Sequence, residues 1–121
     1  MTSQNKPFIS IILPCYNEEV ILEANLDGTI KYLENKGEKY QWEIILIDDG
    51  SKDKTGEIAD DFEKRFFNVR VIHHPTNLNL GNALKTGFKN AKGDIIVVMD
   101  IDLSYSLDHI EKMVDKLIET S

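Results

Sequence analysis

The chain of 121 residues is long enough for one domain with a buried core, and 41% hydrophobic against 29% charged residues is ordinary for a globular protein. A formal net charge of −7, with no basic stripe, argues against nucleic-acid binding through phosphate neutralisation. The one cysteine, Cys15, excludes an internal disulfide. The N-terminus is polar and no apolar stretch is long enough to span a membrane, so we expect the protein in the cytoplasm or at the cytoplasmic face of a membrane.

Two hydrophobic periodicities alternate along the chain. Short apolar runs typical of buried strands are each followed by apolar residues at helical spacing. In chain order the predicted elements are a strand at 9–13, a helix from Leu22 to Leu33 ending at Gly37, a strand at 44–47, a helix through Ile58, Phe62 and Phe66, a strand at 69–72, a helix from Leu80 to Ala91, a strand at 95–99 and a helix from Leu107 to Leu117. We expect Asp53 or Thr55 to cap the second helix, Gly93 to close the third and Ser106 to cap the fourth.

This alternation predicts an α/β fold, a Rossmann-like three-layer α/β/α arrangement with a mainly parallel sheet, right-handed crossovers and a single domain over 1–121. Ligands of such sheets bind beyond the carboxyl ends of the strands. Those ends are 14–19, 48–53, 73–81 and 100–106, and three of the four are rich in acidic or amide side chains. The clustering predicts a site at that edge.

Asp100 and Asp102 directly follow the last apolar run. Alternate residues of a strand point to the same side, so both carboxylates are expected to face one point where the strand ends. Carboxylate oxygens, with the Ser104 hydroxyl nearby, suit a divalent cation such as Mg²⁺ or Mn²⁺. A cation there is well placed to bridge a diphosphate and an acidic protein.

Asp48 and Asp49 follow the second strand, where one carboxylate would suffice for a turn. The second is available to accept hydrogen bonds from a base N–H or a ribose hydroxyl. His73 and His74 follow the third strand, but a pair alone is too few for a metal site, and we assign them no function. Cys15 is interpreted as a small buried residue and not a nucleophile.

Taken together, these segments resemble the inverting family 2 glycosyltransferases of GT-A fold, and most of all the dolichol- and polyprenyl-phosphate sugar transferases. The matching stretches are 11–19, 47–55, 81–94 and 98–104, in family order. The resemblance implies a nucleotide site formed by Pro14, Tyr16, Asn17, Glu18, Asp48, Asp49, Asp100 and Ile101. It also implies a metal site for Mg²⁺ or Mn²⁺ at Asp100, Asp102 and Ser104.

The implied donor is a nucleoside-diphosphate sugar of the UDP or GDP type, and the implied acceptor a polyprenyl phosphate that attacks the anomeric carbon without a protein base. No catalytic residue is assigned. The chain departs from the family at Asn79, where glycine is common, and at Leu107-Asp108, where a Pro-Glu pair is common. The acceptor-binding half of the family has no counterpart before Ser121, so we expect the nucleotide-binding half alone.

Two alternatives stay open at this point. The chain is either the donor-binding part of an enzyme or a binding module that turns nothing over by itself. Less favoured is a fragment resembling haloacid-dehalogenase phosphatases, with Asp100 as nucleophile. An uncovered strand at 95–99 further predicts self-association as a homodimer.

Overall fold

The computed structural model of the chain describes residues 6–103 and 107–119. These residues form four strands and four helices in strict alternation. In chain order they are β1 (Phe8–Cys15), α1 (Glu19–Asn35), β2 (Gln41–Asp48), α2 (Thr55–Arg65), β3 (Val69–His73), α3 (Asn79–Asn90), β4 (Ile95–Val98) and α4 (Asp108–Glu119).

The four strands form one parallel sheet in the order β3-β2-β1-β4. In the register, Cys15 pairs with Asp48, and Asp48 pairs with His73. The last residues of three strands therefore lie side by side at one edge. The predicted α/β fold with a parallel sheet is confirmed.

Helices cover both faces of the sheet. The larger core packs α1, α2 and α4 against one face, where Leu26, Phe62 and Val114 are fully or almost fully buried. On the opposite face, Ala83 of α3 packs on Ile45 and Ile47. The three predicted layers are thus present, and α3 is the only helix of the described chain on its side.

The order of the strands explains why α3 lies apart from the other helices. The chain moves outward from β1 to β3 through α1 and α2 on one face, then returns across the sheet to β4. Crossovers of one hand place the returning helix on the opposite face. The strand order therefore reverses between β1 and β4, which is where α/β sheets bind ligands.

Several boundaries differ from the sequence-based expectation. Lys54 occupies the N-cap of α2, although Asp53 Oδ1 accepts the N–H of Thr55 at 2.9 Å. α3 ends at Asn90 with Ala91 as its C-cap, so Gly93 does not close it. Gly93 instead lies against β1, where a Cβ atom would come within 2.7 Å of the Phe8 carbonyl oxygen.

The last strand is also shorter than expected, because β4 ends at Val98 and not at Met99. Ser106, expected to cap α4, lies outside the described residues. Over the two ranges that the structure covers, no helix combines the length and apolar character needed to cross a membrane.

Candidate functional site

A cleft of about 260 Å³ opens where β1 and β2 end and α3 begins. It is lined by Pro14, Cys15, Tyr16, Glu18, Asp49, Asn77, Asn79, Leu80 and Ala83. Four of these residues belong to the predicted nucleotide site. A larger cavity of about 500 Å³ lies at the opposite end of the sheet, and it contains no residue of the predicted site.

Asp49 is the buried carboxylate of this cleft, only 4% exposed. Its Oδ1 atom lies 2.8 Å from Nδ1 of His74 and accepts the backbone N–H of Leu78 at 2.9 Å. These two contacts come from the loop between β3 and α3, so that loop fixes the orientation of the carboxylate. Within the described part of the chain the other oxygen, Oδ2, accepts no hydrogen bond and is available to a ligand.

Asp48 faces away from the cleft and organises the turn. Its Oδ1 accepts the N–H of Ser51 at 3.1 Å, and its Oδ2 lies 2.7 Å from Nδ1 of His73. The Nε2 atom of His73 lies 2.7 Å from Oδ1 of Asp60 on α2. Because ionised carboxylates only accept hydrogen bonds, carboxylates at both ring nitrogens favour the doubly protonated imidazolium form of His73.

The electrostatics of His73 follow from this arrangement. Burial disfavours the charged ring and lowers its pKa, but the hydrogen bonds to Asp48 and Asp60 act in the opposite direction. The net result is a pKa above the usual 6.5. Protonated His73 therefore ties the end of β2 to α2.

Asn17 links the loops that follow β1 and β2. Its backbone N–H donates to Oγ of Ser51 at 2.9 Å, and its Oδ1 accepts the N–H of Lys52 at 2.9 Å. The N–H of Glu18 donates to Oγ1 of Thr55 at 2.8 Å. Asn17 thus shapes the rim of the cleft without lining it.

Backbone strain concentrates at the same end of the sheet. Among the described residues, those with positive φ are Asn17, Gly50, Asn79 and Leu103. All four lie in loops or helix starts that follow strands. At Gly50 a Cβ atom would overlap the backbone of Thr76, so the loops after β2 and β3 approach each other closely only because this residue has no side chain.

Asp100 and Asp102 lie in a turn and not in the strand itself. The N–H of Leu103 closes this turn on the carbonyl of Asp100 at 3.0 Å. Between the two exposed aspartates, Ile101 is 2% exposed, and its carbonyl accepts a hydrogen bond from Asn25 at 2.8 Å. The buried isoleucine anchors the turn while both carboxylates face solvent.

Glu18 lines the cleft and lies within electrostatic range of the acidic turn. Burial is the main cause of its raised pKa, and the charges of Asp102, Asp53 and Asp100 raise that pKa further. The acidic turn after β4 is therefore near enough to the cleft for its charges to act on Glu18.

The donor set at this turn is two hard carboxylate oxygen ligands, which fits Mg²⁺ or Mn²⁺. Within 6–103 and 107–119, no three His, Cys, Asp or Glu side chains are grouped so as to hold a metal ion by themselves. A cation at Asp100 and Asp102 would thus need further oxygens from a ligand or from water. Ser104, the predicted third ligand, lies outside the described residues.

Sequence reasoning missed the two histidines after β3. His74 lies 2.8 Å from Asp49 through Nδ1 and 2.8 Å from Oγ1 of Thr86 through Nε2, so it joins β2 to α3. The signal was present in the order of the elements. Consecutive parallel strands usually lie side by side, and the histidines after β3 would then face the aspartates that end β2.

The family model described as "Glycosyl transferase family 2" matches residues 10–121. The chain is 33% identical over 120 residues to the dolichyl-phosphate beta-glucosyltransferase ALG5A of Trichomonas vaginalis, covering 94% of this chain and 37% of that protein. It is 34% identical over 109 residues to the dolichol-phosphate mannosyltransferase of Pyrococcus furiosus, covering 90% and 30%. The chain spans about a third of the length of these curated relatives.

Two solved structures share the fold. The mannosyltransferase PcManGT from Pyrobaculum calidifontis, in complex with GDP-Man and Mn²⁺, matches with a TM-score of 0.70 and 22% identity over 83% of this chain and 29% of that one. TarS of S. aureus, in complex with UDP, matches with a TM-score of 0.66 and 23% identity over 89% and 32%. This likeness places the sheet and helices in the GT-A glycosyltransferase fold.

Proposed function

The chain belongs to glycosyl transferase family 2, and on that premise we propose that it binds a nucleoside-diphosphate sugar together with Mg²⁺ or Mn²⁺. It is the donor-binding part of an enzyme that transfers the sugar to an acceptor such as a polyprenyl phosphate. Family membership leaves the haloacid-dehalogenase alternative without support. The relatives' names and the GDP-Man, Mn²⁺ and UDP complexes of structural neighbours support the proposal.

One observation carries the proposal. β4 lies parallel beside β1, so the acidic turn that follows β4 is at the same edge of the sheet as the cleft that contains Asp49 at the end of β1 and β2. A cleft for a planar base therefore adjoins a pair of acids able to hold a cation. A nucleoside diphosphate needs both features at one edge, since its base and its phosphates form opposite ends of the molecule.

Each residue then has a task in donor binding. Asp49 accepts a hydrogen bond from the base, and Tyr16, 42% exposed beside the cleft, offers its ring for stacking. Asp48 keeps the turn in shape, and Pro14 closes the floor of the cleft. Asp100 and Asp102 would hold the cation, and Ile101 sets their position.

The bound cation would supply Lewis-acid stabilisation of the departing diphosphate. The residues of this chain bind and orient the donor. A phosphate acceptor is already ionised near neutral pH, so it attacks the anomeric carbon without a protein base.

Calorimetric titration of the chain with UDP and GDP, with and without Mn²⁺, tests the donor site. We expect binding that depends on Mn²⁺ and is lost in Asp102→Asn. Asp61→Asn on α2 is the matched control, because it removes the same charge from an exposed i,i+4 ion pair with Arg65. Binding of neither nucleotide, or equal binding by Asp102→Asn, would refute the proposal.

Incubation with a nucleotide sugar, Mn²⁺ and a polyprenyl phosphate separates the two remaining alternatives. Sugar transfer by these 121 residues would rule out a binding module that needs other parts for catalysis. Nucleotide binding without transfer would support the module, with catalysis requiring the longer chain that the relatives have.

We also propose that the chain associates with a second copy along β4. Among the described strands, β4 has only β1 as a neighbour. Ile96 and Val98 are 38% and 42% exposed on the side of the sheet opposite to buried Val97. An unpaired strand edge beside exposed apolar side chains favours pairing with another edge of the same kind.

A further inference from the structure

We propose that Asp49 selects uracil over guanine, and that His74 sets this preference by occupying one oxygen of the carboxylate. The inference rests on the proposed donor site and goes further by naming the base. The nucleotides in the structural neighbours leave the base open, because one complex contains GDP-Man and the other UDP. His74 acts through Asp49 and is therefore a positioning residue.

The argument begins with the acceptor capacity of Asp49. Each carboxylate oxygen has about two lone pairs for hydrogen bonds. At Oδ1, one lone pair faces the backbone N–H of Leu78 at 2.9 Å and the other faces Nδ1 of His74 at 2.8 Å. Oδ1 is saturated by the protein, so a ligand has only Oδ2.

Guanine and uracil present different numbers of hydrogen-bond donors to a carboxylate. Guanine presents two parallel donors on one edge, N1–H and the exocyclic amino group, which together match both oxygens of a carboxylate. Uracil presents a single donor, N3–H, between two carbonyl groups. A carboxylate with one available oxygen satisfies the single donor on this edge of uracil but leaves one guanine donor without an acceptor, which is costly in a buried cleft.

The saturated oxygen also favours uracil for an electrostatic reason. A bare Oδ1 would repel a uracil carbonyl next to N3–H. With two N–H groups directed at it, the negative charge of Oδ1 is largely compensated. The same contacts that remove an acceptor for guanine therefore remove a repulsion for uracil.

His74 is held so that it cannot release Oδ1 easily. Its Nε2 lies 2.8 Å from Oγ1 of Thr86, which lies 3.1 Å from the carbonyl of Asn82 on the same helix. Its backbone N–H donates to the carbonyl of Asp48 at 2.9 Å. The side chain is 9% exposed. Contacts at both ring nitrogens and at the backbone fix the imidazole beside Asp49.

Calorimetric titration with UDP and with GDP, both in Mn²⁺, tests the inference on the intact chain. We expect UDP to bind at least about tenfold more tightly than GDP, the factor that one unmade charged hydrogen bond produces. His74→Leu should reduce the ratio of the two dissociation constants severalfold. His74→Asn should preserve it, because the asparagine amide offers an N–H donor near the position of Nδ1.

Thr86 provides a second pair of variants in case His74→Leu does not fold. Thr86→Val removes the oxygen that holds Nε2 and should lower the ratio, whereas Thr86→Ser keeps the oxygen and should retain it. GDP binding as tight as UDP binding would overturn the inference while leaving the donor site intact. An unchanged ratio in both His74→Leu and Thr86→Val would overturn it as well. Binding of neither nucleotide would refute the donor site itself.

Discussion

The Nδ1 atom of His73 lies 2.7 Å from Oδ2 of Asp48, the residue with which it pairs in the register of β3 and β2. The other ring nitrogen lies 2.7 Å from Asp60, so one imidazole ring joins two carboxylates on different elements. The stability of the turn after β2 therefore depends on the charge of this ring.

The free energy of unfolding should decrease as the pH rises above 6.5. Burial opposes the charge of His73, but its two carboxylate partners raise its folded-state pKa above that value. A group whose pKa is raised by folding contributes stability that is complete below its unfolded pKa and lost as the pH rises through the folded pKa. Urea denaturation at a series of pH values measures this decrease.

Two variants test whether that pH dependence comes from the contacts of His73 with Asp48 and Asp60. His73→Gln should remove this component, because glutamine does not titrate. Asp60→Asn should reduce it, since Asp48 still favours the protonated ring. The same pH slope in His73→Gln as in the parent chain would contradict the assignment.

Asn79→Ala should destabilise the protein by about 1 kcal/mol, the usual strain of an alanine in the left-handed region. Asn79 has a φ of 72° at the start of α3, and asparagine tolerates that conformation better than other side chains. Asn79→Gly is the control and should be close to neutral, because glycine adopts positive φ without strain. Urea unfolding of the three proteins measures the difference, and equal stability of the Ala and Gly variants would contradict it.

Arg70→Met should cost about 2 kcal/mol, because it leaves the buried Glu43 carboxylate with one fewer donor. Glu43 accepts hydrogen bonds from Ser10 at 2.6 Å, from the N–H of Lys92 at 2.8 Å and from Arg70 at 3.0 Å. Its side chain is only 7% exposed. Denaturant unfolding measures the loss.

This group of residues lies at the end of the sheet opposite to the cleft, so the dissociation constant for nucleotide should not change in Arg70→Met. That measurement separates a local loss of stability from damage to the site. A cost below about 0.5 kcal/mol, the level of an exposed ion pair, would mean that solvent replaces Arg70 without penalty.

Val98→Lys should weaken self-association, because it places a charge on the open edge strand. Light scattering over a range of protein concentrations measures the average mass. Val20→Lys is the matched control, since Val20 is 92% exposed on α1, away from β4. A parent chain that stays monomeric at high concentration would contradict the proposed pairing.

The fold was predictable because the spacing of apolar residues and the residue types in each segment indicate the same strand or helix. The run Ile44 to Ile47 is completely buried, and α1 buries Leu22, Leu26, Ile30 and Leu33 as its spacing predicts. Cys15 is buried and its thiol pKa is raised by that burial, with the charges of Glu18 and Asp48 adding to the effect. That agrees with its interpretation as a packing residue.

The parts that were missed depend on contacts distant in sequence. The tasks of His73 and His74 depend on β2 and on the helices that flank it, which local patterns do not report. The turn at Asp100 could not be distinguished from a strand end, because an apolar residue between two polar ones suits either. Gly93 resembled a helix end in sequence, although its contact is with β1.

Ile101 gives the acidic turn a fixed position, which two exposed aspartates could not provide by themselves. Its side chain is buried in the larger core, whereas the aspartates on either side of it in sequence are exposed. The relative position of the two aspartates therefore depends on how the Ile101 side chain packs in the core. Shortening this buried apolar side chain should therefore weaken cation binding at the proposed site, although it removes no proposed ligand.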